Sequence, residues 1–96
     1  MNIEFTARHF NAPNNLRDYA EKEVSRILKY HSRAVQCQII LIQENNQFTT
    51  ELNLSIPQRK LNVKDTTDNV RKSIDSAVRK MIKRVSKIKI KQRPVG

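Results

Sequence analysis

The chain has 96 residues, enough for one domain, and its 38% hydrophobic content beside 29% charged residues fits a folded chain with a modest core rather than a disordered one. Its net charge of +10 favours a polyanionic partner, nucleic acid or an anionic membrane surface, and argues nothing about fold. A single cysteine excludes an internal disulfide, two scattered histidines offer no metal-ligand spacing, and the longest apolar run, residues 39–42, is far too short to cross a bilayer.

The first ten residues, MNIEFTARHF, lack the basic-then-apolar order of a secretory signal, and the lone thiol points to a reducing, cytoplasmic compartment. Residues 2–8 alternate, with Ile3, Phe5 and Ala7 on one side and Asn2, Glu4, Thr6 and Arg8 on the other, which predicts a half-buried strand. NAPNN, 11–15, carries helix-start chemistry: either Pro13 sits in the first turn or Asn14 caps. Leu16, Ala20, Val24, Ile27 and His31 then recur at helical spacing and predict a first helix over 14–31. A second strand is expected over 34–43 with Val35, Cys37, Ile39 and Leu41 inward, followed by a turn at 44–47 in which asparagine supplies the positive φ. A third strand over 48–56 points Leu52, Leu54 and Ile56 inward. After a turn at PQRK, a short fourth strand over 61–64 does the same with Leu61 and Val63. DTTD, 65–68, offers caps for a second helix over 69–90.

That helix has the clearest pattern. Val70, Ile74, Val78, Met81, Val85 and Ile88 fall in one stripe, and Lys72, Arg79, Lys80, Lys83 and Lys87 lie opposite, flanked by Arg84 and Lys91. The order β-α-β-β-β-α pairs strands one and two in parallel through a right-handed crossover and leaves strands two to four as an antiparallel meander. The expected fold class is α+β: a two-layer sandwich, a four-stranded mixed sheet with both helices on one face. Its other face, with Thr6, Gln36, Gln38, Glu51, Asn53 and Asn62, reads as solvated.

Three readings of the basic ridge compete. A solvated helix face usually intersperses acids with bases, yet no acid follows Asp75, which itself has Arg79 four residues on as a partner. A membrane-surface helix would need an apolar stripe that the sheet already claims, and this stripe has no Trp or Phe. Nucleic acid fits the unpaired charge best. No helix-turn-helix, zinc finger or zipper is present and no aromatic cluster forms a base-stacking platform, so phosphate and shape recognition of structured RNA is the expectation from the residues alone.

The register MNIEFTARHFNAPNNLRDYAEKEVSRILKYH, then IILI, TTELNLSI and NVRKSIDSAVRKMIKRVSKIKIK, resembles the ribosome hibernation promoting factor and protein Y family over nearly the whole chain. Leu16-Arg17, Ile74-Asp75 and the Lys80, Lys83, Lys87 pattern carry the likeness. The resemblance implies the same β-α-β-β-β-α fold. It also implies binding to small-subunit rRNA phosphates at the decoding centre of the ribosome, which blocks the mRNA and tRNA sites during stress or stationary phase. By position it implies that Lys80 and Lys83, with Lys87, Lys89 and Lys91 beyond them and Arg17 and Arg26 in the first helix, contact RNA. Lys72, Arg79 and Arg84 of the ridge, and Lys22, join them as candidates. The family often has Tyr-Ala where Arg71 and Lys72 stand, and frequently a basic residue where Glu23 stands. A second, ribosome-dimerising factor is an implied further partner, and the chain resembles the short form. The reading is one ribosome-binding domain over 1–96 with 91–96 as a flexible tail, monomeric when free, without membrane association. The alternative is a general structured-RNA-binding or RNA-chaperone module without ribosome preference.

Enzymatic chemistry finds little support. No nucleophile, base and oxyanion arrangement is visible, the one glycine precludes a Gly-rich phosphate loop, and no cofactor or metal is implied. Asp18, Glu21 and Glu23 read as helix-surface acids, Asp18 facing Lys22. Cys37 and His31 read as core or capping residues.

Overall fold

The computed structural model describes residues 1–88. Its elements are β1 (Asn2–Arg8), α1 (Asn14–Ser25), a 3-10 turn (Arg26–Lys29), β2 (Gln36–Glu44), β3 (Gln47–Ile56), β4 (Arg59–Thr67) and α2 (Val70–Ser86). The strands form one sheet in the order β1-β2-β3-β4, the first pair parallel and the other two antiparallel. Both helices pack on one face, so the expected α+β sandwich is the observed fold.

The sheet supplies Cys37, Ile39 and Leu41 from β2, Leu52, Leu54 and Ile56 from β3, and Leu61 and Val63 from β4. The helices cover them with Leu16, Ala20 and Val24 from α1 and Ile74, Ala77, Val78, Met81 and Val85 from α2. Each large aliphatic side chain withdrawn from water in this layer contributes about 1.5–3 kcal/mol before conformational entropy is charged against it. A fully buried polar contact crosses the layer. The Ser73 hydroxyl donates to the Val70 carbonyl at 2.7 Å, so its remaining role toward the buried Thr50 hydroxyl, also at 2.7 Å, is acceptor.

Several boundaries differ from expectation. Helix α1 does not run to residue 31; it ends at Ser25, whose hydroxyl bonds back to the Glu21 carbonyl at 2.8 Å, a contact that disfavours continuation, and the chain tightens into the 3-10 turn. Neither expected start of α1 holds: Pro13 is itself the N-cap residue, and its carbonyl accepts from Leu16 and Arg17. Strand β2 starts at Gln36, and Val35 is 56% exposed rather than inward. Strand β4 is nine residues long and absorbs Asp65, Thr66 and Thr67, so the cap of α2 is Asn69, whose side chain accepts from the Lys72 amide at 3.1 Å. Helix α2 spans 70–86 rather than 69–90. The expected flexible tail at 91–96 lies outside the described residues.

Both hairpin turns work without glycine. Asn45 and Asn46 have φ of 50° and 63° between paired Glu44 and Gln47, the type I′ geometry whose twist suits a two-residue hairpin. At the β3–β4 turn Pro57 precedes Gln58, which takes φ of 68°, a value that costs a residue with a Cβ more than it would glycine. The open face of the sheet is polar and cross-linked: Asn53 donates to Gln38 at 3.1 Å, and Asn62 donates to Glu51 at 2.8 Å and to Asn53 at 2.6 Å. It is not wholly solvated, because Ile40 lies on this side between Thr6 and Glu51 and is 5% exposed.

Because Ile74 is fully buried at the centre of the stripe, Ile74→Asp should abolish the cooperative thermal transition, since an unpaired charge there has no partner to offset its desolvation. A near-native melting curve for that variant would show that α2 is not held by its apolar stripe.

Candidate nucleic-acid interface

Helix α2 is about 26 Å long. Its buried stripe against β3 and β4 fixes the direction of every other side chain, and at about 100° per residue the basic groups fall into three rows. Lys72, Lys83 and Lys87 point away from the sheet and are exposed. Lys80 and Arg84 lean over the β4 edge. The Arg84 guanidinium donates to the Asn62 carbonyl at 2.6 Å, and the Lys80 ammonium lies 3.4 Å from the Asp65 carboxylate. Arg71 and Arg79 lean toward α1, with Arg71 stacked over the Tyr19 ring at 4.6 Å from its centroid.

The ridge is therefore one helix face in sequence and three environments in space. Lys80, expected as a principal RNA contact, is tied to a strand. Asp65, its partner, also accepts from the Ser76 hydroxyl. That bond, opposed by partial burial and reinforced by Lys80, holds the carboxyl below its ordinary range. The cations in the last turn, Lys83 and Arg84, also complement the negative end of the helix dipole.

The residues expected from α1 do not converge. Arg26 faces α2 and is bonded to Glu23 at 3.0 Å. Lys22 is exposed on top of the helix. Arg17 points the other way, over the Phe5 ring of β1 at 5.7 Å, and is separated from the ridge by the width of α1. Lys89 and Lys91 lie outside the described residues. Two expected ion pairs, Asp18 with Lys22 and Asp75 with Arg79, do not form among the described residues. Asp75 instead accepts a hydrogen bond from the Tyr19 hydroxyl, joining the helices. That bond, followed by burial and by the charges of Asp75 and Glu23, pushes the Tyr19 phenol up to about 12 against a smaller opposing effect of Arg71.

Sequence reasoning missed the seam between the helices. Tyr19, Glu23 and Arg26 at i, i+4 and i+7 form a second stripe beside the apolar stripe of α1, and Arg71, Asp75 and Arg79 repeat at i+4 on α2. That periodicity is present in the residues; that the two polar stripes face each other is not. The remaining singled-out groups are structural. Burial pushes the Cys37 thiol up to about 12, and His31 packs beneath the chain with its Nδ1 unpartnered among the described residues. No cluster of metal-binding side chains and no helix long and apolar enough to cross a membrane occurs among the described residues.

Residues 3–93 match the family described as Sigma 54 modulation protein / S30EA ribosomal protein. The chain belongs to this family. Its members are ribosome-associated binding factors rather than enzymes. Among solved structures, the chain is similar to the Thermus thermophilus Protein Y N-terminal domain, with a TM-score of 0.85 and 22% identity over 93% of this chain and 100% of that one. It is likewise similar to a ribosomal subunit interface protein from Coxiella burnetii, with a TM-score of 0.85 and 23% identity over 91% of this chain and 96% of that one. At these identities the two structures establish a shared fold. No curated protein sequence matches the chain.

The Tyr19–Asp75 bond gives a pH signature. The folded state holds the phenolic proton more tightly than the unfolded chain, whose tyrosine titrates near 10.0, so the stabilisation is complete below pH 10 and is lost as pH rises toward 12. Tyr19→Phe should cost about 1.5 kcal/mol at pH 7, because it leaves a partly buried carboxylate short of a donor. The stability gap between wild type and Tyr19→Phe, read from urea titrations, should close between pH 10 and pH 12; a constant gap would mean the bond contributes nothing.

Proposed function

We propose that this protein is a ribosome hibernation factor. It lays α2 and the top of α1 on small-subunit rRNA at the decoding centre and occupies the space of mRNA and tRNA under stress or in stationary phase. It acts in the cytoplasm as a single RNA-binding domain over 1–96, monomeric when free, and any pairing of ribosomes falls to a second factor. The observation that carries this reading is the exposed row Lys72, Lys83 and Lys87, held outward by a buried stripe, on a helix whose sequence contains no acid after Asp75. Such a row is an outward-facing cationic surface rather than a diffuse positive field. Arg26, Arg79 and Lys22 extend it across α1, and Lys89 and Lys91 continue it in sequence. Lys80 and Arg84, bonded to Asp65 and Asn62, reach RNA at the β4 side by releasing or sharing those partners. Arg17, on the far side of α1, contributes through long-range attraction.

Phosphate contacts fix position without reading sequence, and each neutralised phosphate releases counterions. With about six phosphates engaged, the logarithm of affinity should fall with the logarithm of salt at a slope of about −4 to −5. A flat dependence would point to a protein surface as the partner.

The ridge has a sharper test. Lys83→Glu with Lys87→Glu should leave the melting temperature within a few degrees of wild type, since both side chains are exposed, and should abolish co-sedimentation with small subunits. Arg59→Glu with Lys60→Glu, at the β3–β4 turn, makes an equal change in net charge at exposed positions off the ridge and should retain binding. Equal loss in both variants would mean that net charge acts rather than a defined surface, and a general RNA-binding module would replace the ribosome factor.

A further inference from the structure

Between α1 and α2 lies a cleft of about 380 Å³, a size that ligand sites commonly have. Its composition is unlike the ridge around it. Two carboxylates, Glu23 and Asp75, sit low in it, the Glu23 side chain only 18% exposed. Three cations, Arg26, Arg79 and Lys83, stand at its rim and are exposed. Tyr30 lines one end and is 47% exposed. The position of Tyr30 follows from the 3-10 turn. Four steps from Arg26 to Tyr30 at about 120° rather than 100° turn it by about 80° relative to a continued α-helix.

Phosphate alone does not explain this arrangement, because carboxylates in the floor repel it. Each carboxylate also keeps acceptor capacity. One oxygen of Glu23 takes the Arg26 guanidinium and one oxygen of Asp75 takes the Tyr19 hydroxyl, and the second oxygen of each carries no hydrogen bond among the described residues. A ligand that suits the cleft presents hydrogen-bond donors to the floor, a flat π-surface to Tyr30 and negative charge to the rim. An unpaired nucleotide of an RNA has that pattern. Guanine fits best among the bases, since its Watson–Crick edge places two adjacent N–H donors against acceptor oxygens, whereas uracil sets carbonyl oxygens beside its single N–H.

We propose that the inter-helix cleft is a base-specific subsite that takes one unpaired guanine of the bound RNA. The base stacks on Tyr30, its donor edge meets Glu23 and Asp75, and its flanking phosphates meet Arg26, Arg79 and Lys83. This rests on the ribosome reading above and adds sequence preference to a surface otherwise blind to sequence.

The test uses an RNA hairpin with a single unpaired guanine and the same hairpin with uridine in its place, with affinity read by fluorescence anisotropy. Wild type should prefer the guanine hairpin by about tenfold. Tyr30→Ala should weaken guanine-hairpin binding by about tenfold with an unchanged salt slope, because a stack releases no counterions. Glu23→Gln is decisive because two accounts predict opposite signs. If Glu23 acts only through its charge, removing it strengthens binding to both hairpins and leaves their ratio unchanged, which overturns the proposal. If it reads the base, the guanine preference collapses. An unchanged response to Tyr30→Ala also overturns it and marks the cleft for a protein surface. Co-sedimentation of wild type with ribosomes, run in parallel, separates the two readings. Pelleting without guanine preference sinks the cleft alone, and guanine preference without pelleting supports the cleft and sinks the ribosome assignment.

Discussion

Everything on the exposed side of this protein depends on how α2 is seated. Ile74, Val78, Met81 and Val85 bury themselves against Leu52, Leu54, Leu61 and Val63, and the helix has no freedom to roll once they are in place. A roll of one residue would bring a cation toward the sheet, where an unpaired charge is far more costly than any surface contact it could gain. The apolar layer therefore does more than hold the fold. It aims Lys72, Lys83 and Lys87 outward as a rigid row, and it sends Arg84 and Lys80 over one flank and Arg71 and Arg79 over the other.

Like charges crowded on one helix repel, and the fold relieves part of that repulsion with its few acids and carbonyls. Asp65 on β4 takes Lys80, the Asn62 carbonyl takes Arg84, and the Tyr19 ring takes Arg71. The partners are drawn from the strand edge and from the neighbouring helix, and the outer row forms no ion pair among the described residues. Positive charge concentrated in this way gives strong, long-range attraction toward a polyanion.

The seam between the helices is the second organising feature. The Tyr19–Asp75 bond and the Arg71 stack join α1 to α2 at one end, and the half-buried acids beside them break the otherwise uniform positive field. A surface that only gripped phosphate would gain nothing from carboxylates there. Their presence beside the exposed Tyr30 is what leads us to propose a base-reading subsite within a surface that otherwise meets phosphate.

Periodicity alone makes the architecture legible. The stripe from Val70 to Ile88, the alternation in β1 and β3, and the order β-α-β-β-β-α leave one economical way to bury all the apolar faces. Hydrophobic burial is non-directional and set by spacing, so that much follows from the residues themselves. The same spacing does not reveal the end of α1, because Ile27 continues the apolar pattern whether the turn is α or 3-10. Nor does it reveal that Val35 lies outside the strand, or that β4 runs on through Asp65, since β-pairing is granted by a neighbouring strand rather than by the segment. The ridge is visible in the chain as a set of basic residues, yet which of them the protein itself holds, as it holds Lys80, Arg84 and Arg71, depends on the groups that packing brings beside each cation. Linear spacing thus settles which stripes are buried and that a positive face exists. Which charges are spent on the protein and which remain for a partner is settled only by the packing of the elements, because hydrogen bonds and ion pairs are short-ranged and join residues such as Tyr19 and Asp75 that lie far apart in the chain.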